Sequence, residues 1–159
     1  MHGQRFFGVL GSLALMGLLV GGCAPGQGAS PNPTVAAPAG TAVEVKLTEW
    51  AVGTDVTSAP AGIVTFSVTN DGPADTHEFV VIKTDLALTD LPTDETGAVD
   101  EAGGGMVVEG EIEDILVGAS EELELTLEPG AYVLICNIYD DAEMEAHYQE
   151  GMRTSFTVT

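Results

Sequence analysis

Basic side chains are nearly missing from this chain. Lysine and arginine number 4 against 25 aspartates and glutamates, a formal net charge of −21 over 159 residues. A surface so negative repels phosphate backbones and anionic headgroups, which excludes nucleic acid and direct adsorption to acidic membranes. Two uses of that charge remain: a merely solvated acidic surface, or docking to a basic partner. Cysteine is equally scarce. Cys23 and Cys136 are the whole supply, too few for the disulfide framework of a small exported domain. Long apolar runs are lacking too: the stretch from Phe6 to Val20 holds 15 residues, short of the ~20 needed to span a bilayer as a helix.

That stretch has another reading. Arg5 precedes it, and Gly21, Gly22 and Cys23 close it. A basic start, an apolar centre and small residues at the end mark a secretory signal. Val20-Gly21-Gly22-Cys23 resembles a bacterial lipobox, which implies cleavage before Cys23 and a lipid on it. The expected division is a signal over 1–22, a lipid-anchored flexible linker over 23–42, and a folded domain over 43–159. The linker is rich in Pro, Ala, Gly, Ser and Asn and has almost no large apolar group with which to build a core. The expected location is the cell envelope, in the periplasm or on the outer face of the cytoplasmic membrane. Cys136 is then the lone thiol of an oxidising compartment, open to oxidation unless buried or bound to metal.

The domain reads as β throughout. Val43, Val45 and Leu47 alternate with polar neighbours, as do Val64, Phe66 and Val68, then Leu123, Leu125 and Leu127, then Phe156 and Val158. His77 to Ile82 is compactly apolar. Tyr132 to Ile138 is nearly all apolar, as a strand buried on both faces would be. Asn70-Asp71-Gly72-Pro73 and Glu128-Pro129-Gly130 carry turn chemistry. The spacing predicts an all-β fold, an antiparallel Greek-key β-sandwich. The strand pattern lapses between Thr84 and Gly105, where Pro92 to Glu101 is expected to include one short helix and Gly103 to Gly105 a flexible joint.

Within the domain the soft and borderline donors collect. Cys136 ends a strand, His147 and Met152 follow in the loop before the last strand, and His77 opens an earlier strand. One loop can place several ligands around an ion while a neighbouring strand supplies another. Taken singly, Cys136 is a core residue, His77 a surface histidine and Met152 a gap-filler. Taken together, one thiolate, two imidazoles and a thioether are the donor list of a mononuclear copper electron-transfer site. Zinc accepts Cys and His, but a thioether serves it poorly.

The C-terminal segments resemble the copper-binding end of small cupredoxins. The matching pieces are Tyr132-Val133-Leu134-Ile135-Cys136-Asn137-Ile138, His147-Tyr148-Gln149-Glu150-Gly151-Met152, and Ser155-Phe156-Thr157-Val158. Upstream, His77-Glu78-Phe79-Val80-Val81 looks like the family's first-ligand strand, and Glu128-Pro129-Gly130-Ala131-Tyr132 like its hairpin into the Cys strand. The resemblance implies one type 1 copper ion, Cu(II)/Cu(I), with His77, Cys136 and His147 as strong equatorial ligands and Met152 as the weak axial one. It also implies a one-electron carrier that meets its redox partner at the exposed edge of His147. This sequence departs from the family in one place: ten residues, 137–146, separate Cys136 from His147 where family members have a few. That stretch either bulges outward, loosens the site, or lets Met144 replace Met152 as axial ligand. Its acids Asp140, Asp141, Glu143 and Glu145 would favour Cu(II) and lower the reduction potential.

Other functions use the same residues or fewer. A copper-delivery or storage protein would exchange the ion with a donor or acceptor. A metal-free adhesion sandwich would leave the lone thiol without a role. Copper enzymes need histidines for a second centre, and binuclear copper needs two cysteines, so no enzyme is expected. A monomer bound to the membrane through its lipid is the expected state.

Overall fold

Alternation becomes strand wherever one face can be buried, and the computed structural model, which describes residues 40–159, shows which faces those are. The expected signal, the lipobox with Cys23 and the linker up to residue 39 lie outside the described residues. Strand β1 (Thr41–Thr48) begins two residues before the expected domain start at Val43. It buries Val43, Val45 and Leu47 and exposes Ala42, Glu44 and Lys46. It turns back into β2 (Ala51–Thr54), after which come β3 (Ser58–Ala59) and the long β4 (Gly62–Gly72). The remaining strands are β5 (His77–Thr84), β6 (Met106–Ile115), β7 (Ser120–Leu127), β8 (Gly130–Ile135), the short pair β9 (Tyr139–Asp140) and β10 (Glu145–Ala146), and β11 (Arg153–Val158). A single turn of helix, α1 (His147–Glu150), precedes β11.

Two sheets form the sandwich, in the orders β2-β1-β4-β7 and β3-β11-β8-β5-β6. Most pairings are antiparallel, as expected for a Greek key, but β1 runs parallel to β4 and β3 parallel to β11. Between the sheets lie Val43, Val45, Leu47, Val64, Phe66 and Val68 from one side and Phe79, Val81, Tyr132, Leu134 and Phe156 from the other. The central strands β5 and β8 are apolar on both faces for a visible reason. Val80, Ile82, Val133 and Ile135 pack outward against Leu91, Val99 and Tyr148, so residues 85–105 cover the outside of the second sheet.

The helix expected between Pro92 and Glu101 is not there. The segment is a tight turn closed by a bridge between Thr93 and Val99. The Asp94 carboxylate accepts the Thr96 N–H at 2.8 Å and the Thr96 hydroxyl at 2.6 Å. An Asp that captures the backbone two residues on favours a turn over a helix, and Gly97 at φ 93° ends any helical path.

Register puts the candidate ligands at one end of the sandwich. His77 opens β5 opposite Ile115, which ends β6. Thr48, ending β1, pairs with Gly72, ending β4. Cys136 follows β8 directly. The joining segments 49–50, 73–76, 116–119 and 136–152 therefore share that end. Among the described residues no helix is long and apolar enough to cross a membrane.

Candidate metal centre

His77 is placed by the turn before it. Asn70 is fully buried; its Nδ2 donates to the carbonyls of Asp75 (2.8 Å) and Ile115 (2.9 Å), and its Oδ1 accepts the Gly72 N–H (2.8 Å). Gly72, at φ 68°, makes the bend that a side chain would resist. Cys136 is placed from both sides. Its N–H donates to the Met152 carbonyl at 3.0 Å, and its Sγ accepts the Glu78 N–H at 3.2 Å. His147 donates its N–H to Ile138, and Met152 donates to the His147 carbonyl. Cys136, His147 and Met152 are thus joined through the backbone whatever the length of chain between them.

The extra stretch from Tyr139 to Ala146 bulges outward. Tyr139 and Asp140 pair with Ala146 and Glu145 in a small hairpin, and the Asp140 carboxylate caps its turn by accepting the N–H groups of Ala142 and Glu143. Met144 sits on that turn at φ 57° with 76% of its surface exposed. The Met144 alternative is corrected on this ground: its local hairpin holds it in solvent, whereas Met152 is fully buried beside Cys136 in the core.

The donor atoms converge. His77 Nδ1 lies 3.3 Å from His147 Nδ1, and Cys136 Sγ lies 3.3 Å from His147 Nδ1 and 3.8 Å from His77 Nδ1. These three residues form a group able to hold one ion. Their separations suit donors bound about 2.0–2.3 Å from a common first-row metal. Burial lowers the basicity of both imidazoles, with the neighbouring His147 adding to the effect at His77, so their ring nitrogens are available as neutral donors. Burial pushes the Cys136 thiol up to about 12, against the Glu78 and Ile138 N–H groups that favour its thiolate. A buried thiol so reluctant to ionise stays inert unless a cation displaces its proton.

Two neighbours had no sequence signal. Trp50 meets the His147 ring edge-on, centroids 5.0 Å apart, and is itself partly exposed. His147 is 1% exposed, so the edge expected to face a partner is covered. Glu49 lies on the other imidazole, its Oε1 3.9 Å from His77 Nε2. That oxygen also accepts the N–H groups of Ala74 (2.9 Å) and Asp75 (2.7 Å). Burial works to raise the Glu49 carboxyl, while the Asp75 and Ala74 N–H groups, its own backbone N–H and the nearby His77 all lower it, and the net displacement is downward.

Glu78 carries a different burden. Burial first, then the charges of Glu101, Glu111 and Glu113, raise its carboxyl to about 7. The folded chain therefore holds a proton that the unfolded chain releases above its ordinary value of 4.5, and stability falls as pH rises from there through 7. Glu78→Gln is expected to make the metal-free protein more stable at pH 8 by about 1–2 kcal/mol, discounted for partial solvent screening. The gain should vanish below pH 4.5; urea denaturation at both pH values measures it, and an equal gain at both would refute it.

A two-sheet β-sandwich with a buried His-Cys-His cluster at one end defines a recognisable class. The solved structures similar to it include auracyanin from the photosynthetic bacterium Roseiflexus castenholzii, with 23% identity over 76% of this chain and 98% of that one, at a TM-score of 0.54. Auracyanin A, a "blue" copper protein from the green thermophilic photosynthetic bacterium Chloroflexus aurantiacus, has 18% identity over 76% and 100%, at 0.51. An azurin from Methylomonas sp. strain J has 15% identity over 76% and 99%, at 0.52. No protein-family model matches the sequence, and no curated protein does. The fold is that of the cupredoxins.

Proposed function

We propose that this domain is a mononuclear type 1 copper protein working as a one-electron carrier. The observation that carries the reading is the convergence of His77 Nδ1, Cys136 Sγ and His147 Nδ1 within 3.8 Å of one another in a buried cluster. Bound copper would supply a one-electron Cu(II)/Cu(I) couple. The chain supplies the rest. Thiolate and thioether favour the reduced ion and imidazole suits both states. The backbone bonds among Cys136, His147 and Met152 hold the donors in one arrangement, so little has to move when charge changes. The Chloroflexus auracyanin is a blue copper protein, and the same chemistry is inferred here.

Delivery or storage, the second reading, needs an ion that exchanges readily. Donors exposed by 1% or less weigh against it. Both histidines of residues 40–159 lie in the cluster, which leaves none for a second copper, and no catalytic role is proposed. The net charge of −21 supports a basic redox partner, whose approach reaches Trp50 before His147. Arg5, the apolar run 6–20 and Cys23 support export to the cell envelope on a lipid anchor.

Titration with Cu(II), followed by visible absorption and electron paramagnetic resonance, tests the reading. One ion per chain and an intense thiolate-to-copper band are expected. Saturation without that band would overturn type 1 copper, and rapid surrender of Cu(I) to a chelator would favour delivery. Trp50 is the sole tryptophan and reports on the same event. Its fluorescence should be strongly quenched in step with the absorption; emission indifferent to copper would place the ion elsewhere.

A further inference from the structure

The two imidazoles of the cluster are each backed by a residue from the turn between β1 and β2, and at His77 that residue is a carboxylate. We propose that Glu49 is a positioning residue for the metal centre: its carboxylate holds His77 by the outer ring N–H and sets a fixed negative charge behind that ligand, biasing the site toward the oxidised ion. This rests on the copper reading above.

The proton on His77 is placed by what its two ring nitrogens face. Its Nδ1 faces His147 and Cys136 at 3.3 and 3.8 Å. A neutral imidazole that offers Nδ1 as a lone-pair donor carries its proton on Nε2. His77 Nε2 is buried and has no hydrogen-bond partner within the protein; Glu49 Oε2 is in the same condition. The two groups face each other, with Oε1 3.9 Å from Nε2. Oε1 is already occupied by the Ala74 and Asp75 N–H groups, which fix the carboxylate in place and leave Oε2 as its spare acceptor. One contact, closed by a modest rotation of either side chain, satisfies both buried atoms. A metal-bound histidine commonly gives its second N–H to a carboxylate or carbonyl, which fixes ring orientation and makes the ligand more basic. The parallel pairing of β1 with β4 brings Glu49 to this place, because it sets Thr48 against Gly72 and so the following residue against Ala74 and Asp75.

The test is Glu49→Gln in the full chain, compared with wild type. Gln keeps an oxygen for the Ala74 and Asp75 donors, loses the charge, and turns an N–H₂ toward His77. Cu(II) affinity should fall 10–100-fold with Cu(I) affinity little changed, so the reduction potential rises by about 59 mV for each tenfold change in their ratio. Glu49→Asp, which keeps the charge, should hold the potential near wild type. A Gln variant with unchanged potential and Cu(II) affinity overturns the inference and leaves the copper reading standing. Nitrogen-15 spectra of the metal-free protein give a readout that needs no copper. A slowly exchanging Nε2–H on His77 in wild type, lost in Glu49→Gln, supports the contact even if wild type binds no copper and the functional reading fails. If the Gln variant does not fold, the wild-type spectrum decides alone: a slow Nε2–H supports the contact, and an Nδ1–H tautomer or a freely exchanging ring proton overturns it.

Discussion

Replacing Cys136 with serine is expected to abolish the thiolate-to-copper band and to weaken copper binding by about two to three orders of magnitude. The figure follows from structural four-ligand sites, whose ~10–16 kcal/mol of binding energy gives each donor a share of about 2.5–4 kcal/mol, at about 1.4 kcal/mol per tenfold. Serine nearly matches cysteine in volume, and the Cys136 N–H bond to Met152 is backbone, so the scaffold survives. What goes is softness, since a hydroxyl binds Cu(I) poorly and stays protonated where a thiol yields its proton to the ion. The same residue should be quiet in metal-free protein. Fully buried and raised to about 12, its thiol should resist alkylation until the chain is unfolded. A copper band surviving in Cys136→Ser would remove Cys136 from the site and with it the present reading.

The chain order of the ligands was legible because the ends of strands are legible. An unbroken apolar run located β8 and alternation located β11, and the chemistry of Cys136, His147 and Met152 fell between them. His77 joined the group once the Asn70–Pro73 turn fixed where β5 begins. Glu49 and Trp50 carried no such signal. They reach the imidazoles because β1 lies parallel to β4, a pairing between segments that each read as an ordinary half-buried strand, and periodicity says nothing about which strands become neighbours. The expectation of an open His147 edge failed for that reason: Trp50 covers the ring from a turn nearly a hundred residues upstream. The Cys136–His147 stretch was left open for a different reason. Its length was plain, but whether it displaced a ligand depended on a local hairpin capped by Asp140, which lifts Met144 into solvent and leaves Met152 with the cluster.

Phe66→Ala is expected to cost the metal-free domain about 3–5 kcal/mol, a large part of the ~5–15 kcal/mol that stabilises such domains. Phe66 comes from the first sheet and meets two rings of the second: Phe79 at 5.4 Å and Phe156 at 5.7 Å, both tilted toward edge-to-face. Phe79 stands two residues beyond His77 on β5, and Phe156 pairs with Tyr132 on the strand that leads to Cys136. The one ring therefore clamps the sheet that has no ligand to the strands that hold them. The backbone bonds that join Cys136, His147 and Met152 do not pass through it, so the cluster should stay assembled in the folded variant. Copper at ~1,000 times its dissociation constant adds about 4 kcal/mol to whichever folded state binds it. That increment should be equal in wild type and variant to within about 0.5 kcal/mol, as for independent sites. Urea denaturation with and without copper measures all four stabilities. A loss below about 1 kcal/mol, outside the range for an emptied aromatic core site, would refute the clamp. A copper increment that shrinks in the variant would show instead that packing between the sheets, more than the ligand loop, sets the donors in place.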